Sequence, residues 1–238
     1  MMKIGILLVG RASEDLVDEY GTYAEMLIAL INTEEQVFEF KTFNILDDEF
    51  PKDHLECDGW IVTGSPHGVY EDHSWIPTVS QLINNVYEAN LPIFGVCFGH
   101  QLIAQALGGH VEKSEKGWGL GLHTYQVNNK PEYMSNLSEE VTLNICHQDQ
   151  VLRPPQGATV YAKSEFCENA GFYIKDKVLT MQAHPEFLVD FTKALLTARR
   201  DVTIPKEFVD PALVGLKNNP DSVQSNEFAK TVRQFFLA

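Results

Sequence analysis

Apolar and polar positions follow two rhythms along the first half of the chain. Residues 3–9, apolar without a break from Ile4 to Val9, read as a strand covered on both faces. Over 16–31, Tyr23, Met26, Leu27 and Leu30 recur at helical spacing and predict one helix. Val37, Phe38, Phe40 and Phe43 mark a second strand over 36–43, and Gly59-Trp60-Ile61-Val62-Thr63 a third. A helix over 75–89 follows, apolar at Ile76, Val79, Leu82, Ile83 and Val86. Next come a short strand, Leu91-Pro92-Ile93-Phe94, and a helix carrying Leu102, Ile103, Ala106 and Leu107, stopped by Gly108-Gly109. Strands alternating with helices predict an α/β fold: a doubly wound, mostly parallel sheet with helices on both faces. Function in such sheets gathers at the carboxyl ends of the strands.

Past Gly109 the rhythm changes. Val111 and the segments 120–127, 141–146, 159–162, 171–174 and 178–182 read as short strands, with turns at 128–131 and 153–157. They predict a smaller mixed or antiparallel β layer added to the parallel sheet. Helices are expected over 188–200 and 226–237. Between them, 201–225 is rich in Pro, Asp and Asn and weakly periodic. A lid, a contact between two copies of the chain and a surface for another protein are open roles for it. The organisation expected is one domain over 1–200 and a C-terminal extension over 201–238 whose last helix packs on that domain.

Composition narrows the partners. A chain of 238 residues can bury a full core. Its 18 basic and 33 acidic residues give a net charge of −15, which disfavours nucleic acid and anionic membranes as partners. The apolar run at the start is too short for a secretory leader, and no run reaches the roughly 18 apolar residues of a membrane span. Cys57, Cys97, Cys146 and Cys167 are scattered, with no Cys-x-x-Cys pair, so neither a zinc site nor a disulfide framework is expected. A reducing cytoplasm is the expected location, with no cofactor.

The candidate chemistry centres on Gly95-Val96-Cys97-Phe98-Gly99-His100-Gln101. Cys97 falls in a strand-to-helix turn of the form Gly-x-Cys-x-Gly, the thiol version of a nucleophile elbow. At a helix N-terminus the dipole favours thiolate, and free N–H groups can hold a developing oxyanion. The plain alternative is a buried thiol in a tight turn. A base is available in Ala183-His184-Pro185-Glu186-Phe187, directly after a strand; there the plain alternative is a histidine capping a helix that starts at Pro185. The two segments share one sheet edge, which favours the chemical reading of both. His100 reads as structural; His67 falls in the presumed oxyanion loop, either lining the pocket entrance or, as the plainer reading, solvated. His54, His73, His110 and His123 belong to no evident constellation, and Cys146 reads as a buried thiol.

Gly-Val-Cys-Phe-Gly-His-Gln, followed 87 residues after the cysteine by Ala-His-Pro-Glu-Phe, resembles the paired signature of the class I, triad-type glutamine amidotransferases. The resemblance covers roughly residues 3–200 and extends to Thr63-Gly64-Ser65-Pro66, where the family commonly has Ser-Gly-Gly-Pro. It implies a flavodoxin-like fold, with Cys97 attacking the side-chain amide of glutamine or another γ-glutamyl group. It further implies His184 as base and then acid, and Glu186 as its orienting group. Gly64 and Ser65 would belong to the oxyanion segment, with the N–H groups of Ser65 and Phe98 as donors. Gln101 would bond the glutamyl portion. Trp118 falls where the family has a substrate-holding segment, and His147-Gln148-Asp149 resembles a His-x-Asp segment near the pocket. Ser65 in place of glycine departs from the pattern, and matters only if that position needs a positive φ. The residues after 200 are too few for a synthase domain. The resemblance therefore leaves open a glutaminase subunit feeding ammonia to a separate synthase, a free-standing hydrolase like the cytoplasmic γ-glutamyl peptidases, and a non-catalytic module that keeps the fold.

Overall fold

The computed structural model describes residues 1–32, 37–219 and 223–238. In chain order the strands of the first half are β1 (Met2–Leu8), β2 (Phe38–Asn44), β3 (Gly59–Val62) and β4 (Ile93–Val96). Those of the second half are β5 (His110–Lys113), β6 (Gly119–Val127), β7 (Glu140–His147), β8 (Asp149–Arg153), β9 (Thr159–Lys163), β10 (Gly171–Ile174) and β11 (Val178–Met181). The helices are α1 (Glu14–Tyr20), α2 (Tyr23–Ile31), α3 (Trp75–Glu88), α4 (Phe98–Ala106), α5 (Val189–Arg199), α6 (Lys206–Asn218) and α7 (Ser225–Leu237).

Nine strands form one sheet in the order β2-β1-β3-β4-β11-β10-β9-β6-β7. The first five run parallel, and antiparallel pairing takes over from β11 to β10 onward. The antiparallel strands thus mostly continue the parallel sheet, while β5 and β8 pair as a small separate sheet. Strand side chains point alternately to opposite faces. Ile4, Ile6 and Leu8 of β1 therefore enter one core with α2, α5 and α7, while Leu7 and Val9 enter the other with α3 and α4. Covered twice, the central strands have no polar face, which is why they read as continuous apolar runs.

Four expectations need correction. The single helix over 16–31 is two helices, broken at Gly21 (φ 82°) and restarted by a capping box in which Thr22 and Glu25 satisfy each other's backbone N–H groups. That box, Thr-x-x-Glu after a glycine, was present in the sequence but masked by the apolar spacing around it. The weak periodicity of 201–225 concealed a helix: its described residues include α6, which buries Val209 and Leu216. Pro211 and the acidic residues hid a stripe at 209, 212, 213 and 216, whose apolar members pack onto β6, where Gly121 (φ 80°) lies 3.3 Å from Ala212 Cβ if given a Cβ of its own. Strand β8 was not anticipated, because on this short polar edge Val151 is buried while Leu152 stays exposed. The strand before the elbow runs on to Val96, directly against Cys97. Gln36, at the start of the second expected strand, lies outside the described residues, as do three residues of 201–225.

Candidate active site

The carboxyl ends of β1, β3, β4 and β11 meet along one sheet edge. Because β4 and β11 are neighbours with Val96 opposite Met181, the residues just beyond them, Cys97 and His184, emerge side by side. The Cys97 N–H donates to the Met181 carbonyl at 2.8 Å and ties the elbow to β11. Cys97 itself has φ 51° and ψ −103°, a conformation that costs a non-glycine residue about 1–3 kcal/mol and is held by its surroundings. The flanking glycines permit this. A Cβ on Gly95 would lie 2.6 Å from the Gly99 backbone, and one on Gly99 only 2.2 Å from the Val62 carbonyl oxygen.

His184 is buried and held on three sides. Its N–H donates to the Asn144 carbonyl at 2.8 Å, and its ring stacks on Phe187 with centroids 3.8 Å apart and planes 3° from parallel. Asn144 in turn donates through Nδ2 to the Phe187 carbonyl at 2.7 Å. His184 Nδ1 lies 2.7 Å from Glu186 Oε1, a pair sealed from solvent. Cys97 and His184 line one small void, and both lie against Gly64. Burial alone would lower the imidazole pKa, but the Glu186 carboxylate and Cys97 outweigh it and hold the ring up to about 10. The ring is thus an imidazolium at neutral pH.

Gly64 and Ser65 close the other side. A Cβ on Gly64 would come within 2.8 Å of His184 Cε1 and 3.8 Å of Cys97 Cβ, so only glycine lets the β3 loop approach both. Gly10, after β1, fits against Gly64 and Ser65 for the same reason. Ser65 keeps a φ outside the positive range, so its substitution for glycine carries no backbone strain. Phe98 opens α4, where its N–H has no carbonyl four residues back within the helix.

In front of Cys97 lies a cleft of about 160 Å³. Ser65, Gln101, Trp118, His147 and Asp149 all line it, so the structure brings these expected residues together. Gln101 is buried and donates from Nε2 to the Asp149 carbonyl (2.9 Å) and to Gln182 Oε1 (3.1 Å), which fixes its amide in the wall. His147 Nδ1 donates to the same Asp149 carbonyl at 3.0 Å, and burial lowers its pKa to about 3, so the ring is neutral. Asp149 is half-buried; desolvation raises its pKa against a hydrogen bond from Tyr70. His100, by contrast, sits away from the cleft, buried against Thr180 Oγ1 at 2.8 Å and neutral with a pKa near 3.

The cleft residues that the sequence reading did not place there include Arg199, Lys113, Tyr70, Glu71 and Cys146. Arg199 comes from the last turn of α5, reaches Cys146 Sγ at 3.6 Å and shares a small void with Cys97, His184 and Ser65. Nothing in its local sequence, an Arg-Arg pair at a helix end, marks it as different from a solvated cation; only the packing of α5 aims it inward.

A strained cysteine at the carboxyl end of a parallel strand, beside a histidine paired to a buried glutamate, defines a protein of the cysteine-elbow α/β type. The chain belongs to the class I glutamine amidotransferases, whose family model matches residues 15–199. It is 35% identical over 189 residues to γ-glutamyl peptidase 4 of Arabidopsis thaliana, covering 76% of this chain and 74% of that one. A glutamine-hydrolyzing GMP synthase of Finegoldia magna is 33% identical over 129 residues, which are 54% of this chain but 24% of the synthase. A glutamine amidotransferase of Thermotoga maritima has the same fold, with a TM-score of 0.80 at 18% identity over 100% of this chain and 99% of the other. Among the described residues, no helix is long and apolar enough to cross a membrane.

Proposed function

We propose that this chain is a cysteine-dependent amidohydrolase of γ-glutamyl amides. The observation that supports the reading is the buried His184–Glu186 pair, 2.7 Å apart, whose imidazole lines one small void with Cys97. Cys97 sulfur attacks the γ-carbonyl carbon, and the proton it gives up resides on His184. The tetrahedral oxygen is held by the N–H groups of Ser65 and Phe98. His184 passes its proton to the departing nitrogen, the C–N bond breaks, and a γ-glutamyl thioester remains on Cys97. Water, deprotonated by His184, then attacks the thioester and releases glutamate and the thiol. Glu186 holds the ring in orientation and balances its charge throughout.

The cleft has charges for both ends of an amino acid. Arg199 and Lys113 are suited to an α-carboxylate, and Asp149 to an α-ammonium. Gln101 would contact the glutamyl chain, and Trp118 would border it. Among substrates, γ-glutamyl conjugates are favoured over free glutamine by one observation. The relative named a γ-glutamyl peptidase is matched over 74% of its length, whereas the glutamine-hydrolyzing synthase is matched over 24%. The purified chain, given glutamine and a panel of γ-glutamyl dipeptides, should release glutamate fastest from the dipeptides, and Cys97→Ala should abolish the release. Release from glutamine only on adding a synthase would move the reading to an ammonia-delivering subunit. Undiminished turnover by Cys97→Ala would end it.

A further inference from the structure

The loop between β3 and α3 holds a second cluster, made of residues to which the sequence reading gave no constellation. His67, Glu71 and His73 each present one ligand atom, and the three atoms lie within 4.8 Å of one another. His67 Nδ1 is 3.1 Å and His73 Nε2 2.9 Å from the same carboxylate oxygen, Glu71 Oε2. The loop is ordered by its own backbone: Glu71 N–H donates to Gly68 and His73 N–H to Glu71, both at 3.0 Å. The His73 ring lies parallel to Trp75, which packs on Phe98, the residue after the elbow cysteine.

We propose that His67, Glu71 and His73 bind a divalent transition-metal ion of the zinc class at the mouth of the cleft. Zinc takes imidazole nitrogen and carboxylate oxygen at about 2.0–2.1 Å in tetrahedral geometry, which sets donors about 3.4 Å apart. The two nitrogen–oxygen separations here fall 0.3 to 0.5 Å short of that, so small side-chain rotations suffice to admit an ion. Two imidazoles with one carboxylate select zinc, nickel, cobalt or copper over magnesium and calcium, which prefer all-oxygen shells. Three protein ligands leave a fourth position open.

His67 and Glu71 line the same cleft as Cys97, whereas His73 does not. A bound ion therefore adds positive charge at the entrance, where the departing half of a γ-glutamyl substrate would leave. That consequence for turnover rests on the function proposed above; binding of the ion does not.

The test measures binding alone, in a Cys97→Ala background that removes the thiol as a competing ligand. Zn²⁺ titrated calorimetrically into Cys97→Ala should bind at one site, and Co²⁺ should give the visible absorption of a tetrahedral ion with nitrogen and oxygen ligands. Adding His73→Gln or Glu71→Gln should weaken both signals roughly tenfold or more, as loss of a ligand should outweigh the 10–100-fold effects seen for outer-shell partners. Circular dichroism confirms that these exposed-loop variants fold. Absence of binding to Cys97→Ala, or binding that neither loop substitution alters, overturns the proposal. Either result leaves the γ-glutamyl assay with the unmodified chain untouched.

Discussion

Replacing Glu186 by Gln removes one charge and little volume, and its effect can be worked out from the pair it disrupts. Glu186 Oε1 accepts a 2.7 Å hydrogen bond from a buried, protonated His184. Bonds to charged groups contribute about 1.5–3 kcal/mol. If the transition state needs the imidazolium held in place, kcat/KM should fall about 10- to 150-fold, at about 1.36 kcal/mol per decade. His184→Ala should lose more, because it removes the proton carrier itself. The pH profile is more diagnostic. In the native chain burial pushes the ring pKa down, and Glu186 with Cys97 lifts it to about 10. Without the carboxylate, burial gains weight and the ring loses its proton at lower pH, so the alkaline limb of kcat/KM should move toward neutrality. The stability sign follows from the same shift. A folded pKa raised above the ordinary 6.5 stabilises the native state fully below about 6.5, and the gain is lost as pH rises through about 10. The melting-temperature gap between native and Glu186→Gln protein should therefore be wide at pH 6 and narrow above pH 10. Glutamate release from a γ-glutamyl dipeptide across pH 5–10.5, with melts at the same pH values, measures both. An unchanged profile, or a loss equal to that of His184→Ala, would refute the orienting role of Glu186.

Arg199→Met keeps the stem packing and removes the charge. Loss of a carboxylate contact should raise KM roughly 10- to 100-fold with kcat little changed, and a substrate whose α-carboxylate is amidated should show no such difference. Equal loss on both substrates would place Arg199 elsewhere in the chemistry. Gly99→Ala should destabilise the fold by about 3 kcal/mol, the upper end for overpacking, because the new methyl meets a backbone carbonyl that cannot rotate away. Urea denaturation reads this directly, and an unshifted midpoint would mean the elbow is looser than its geometry indicates.

Periodicity and turn chemistry by themselves determined the alternating α/β plan, because strands covered on both faces must be apolar throughout and surface helices must repeat every three to four residues. They also marked the elbow at Cys97 and the His184–Glu186 segment, since a sharp strand-to-helix turn tolerates few residues besides glycine at its flanks. What they missed was where local and global signals disagree: Gly21 inside an apolar rhythm, Pro211 inside a buried stripe, and the polar edge of β8. Only the tertiary structure decided that β11 lies next to β4, which is what sets His184 beside a cysteine 87 residues earlier. It also turned Arg199 into the cleft and drew His67, Glu71 and His73 around one oxygen. Such neighbours are chosen by how sheets and helices pack over long sequence separations, and a side chain's solvent exposure, charge partner and aim are consequences of that packing rather than of the residues beside it in the chain.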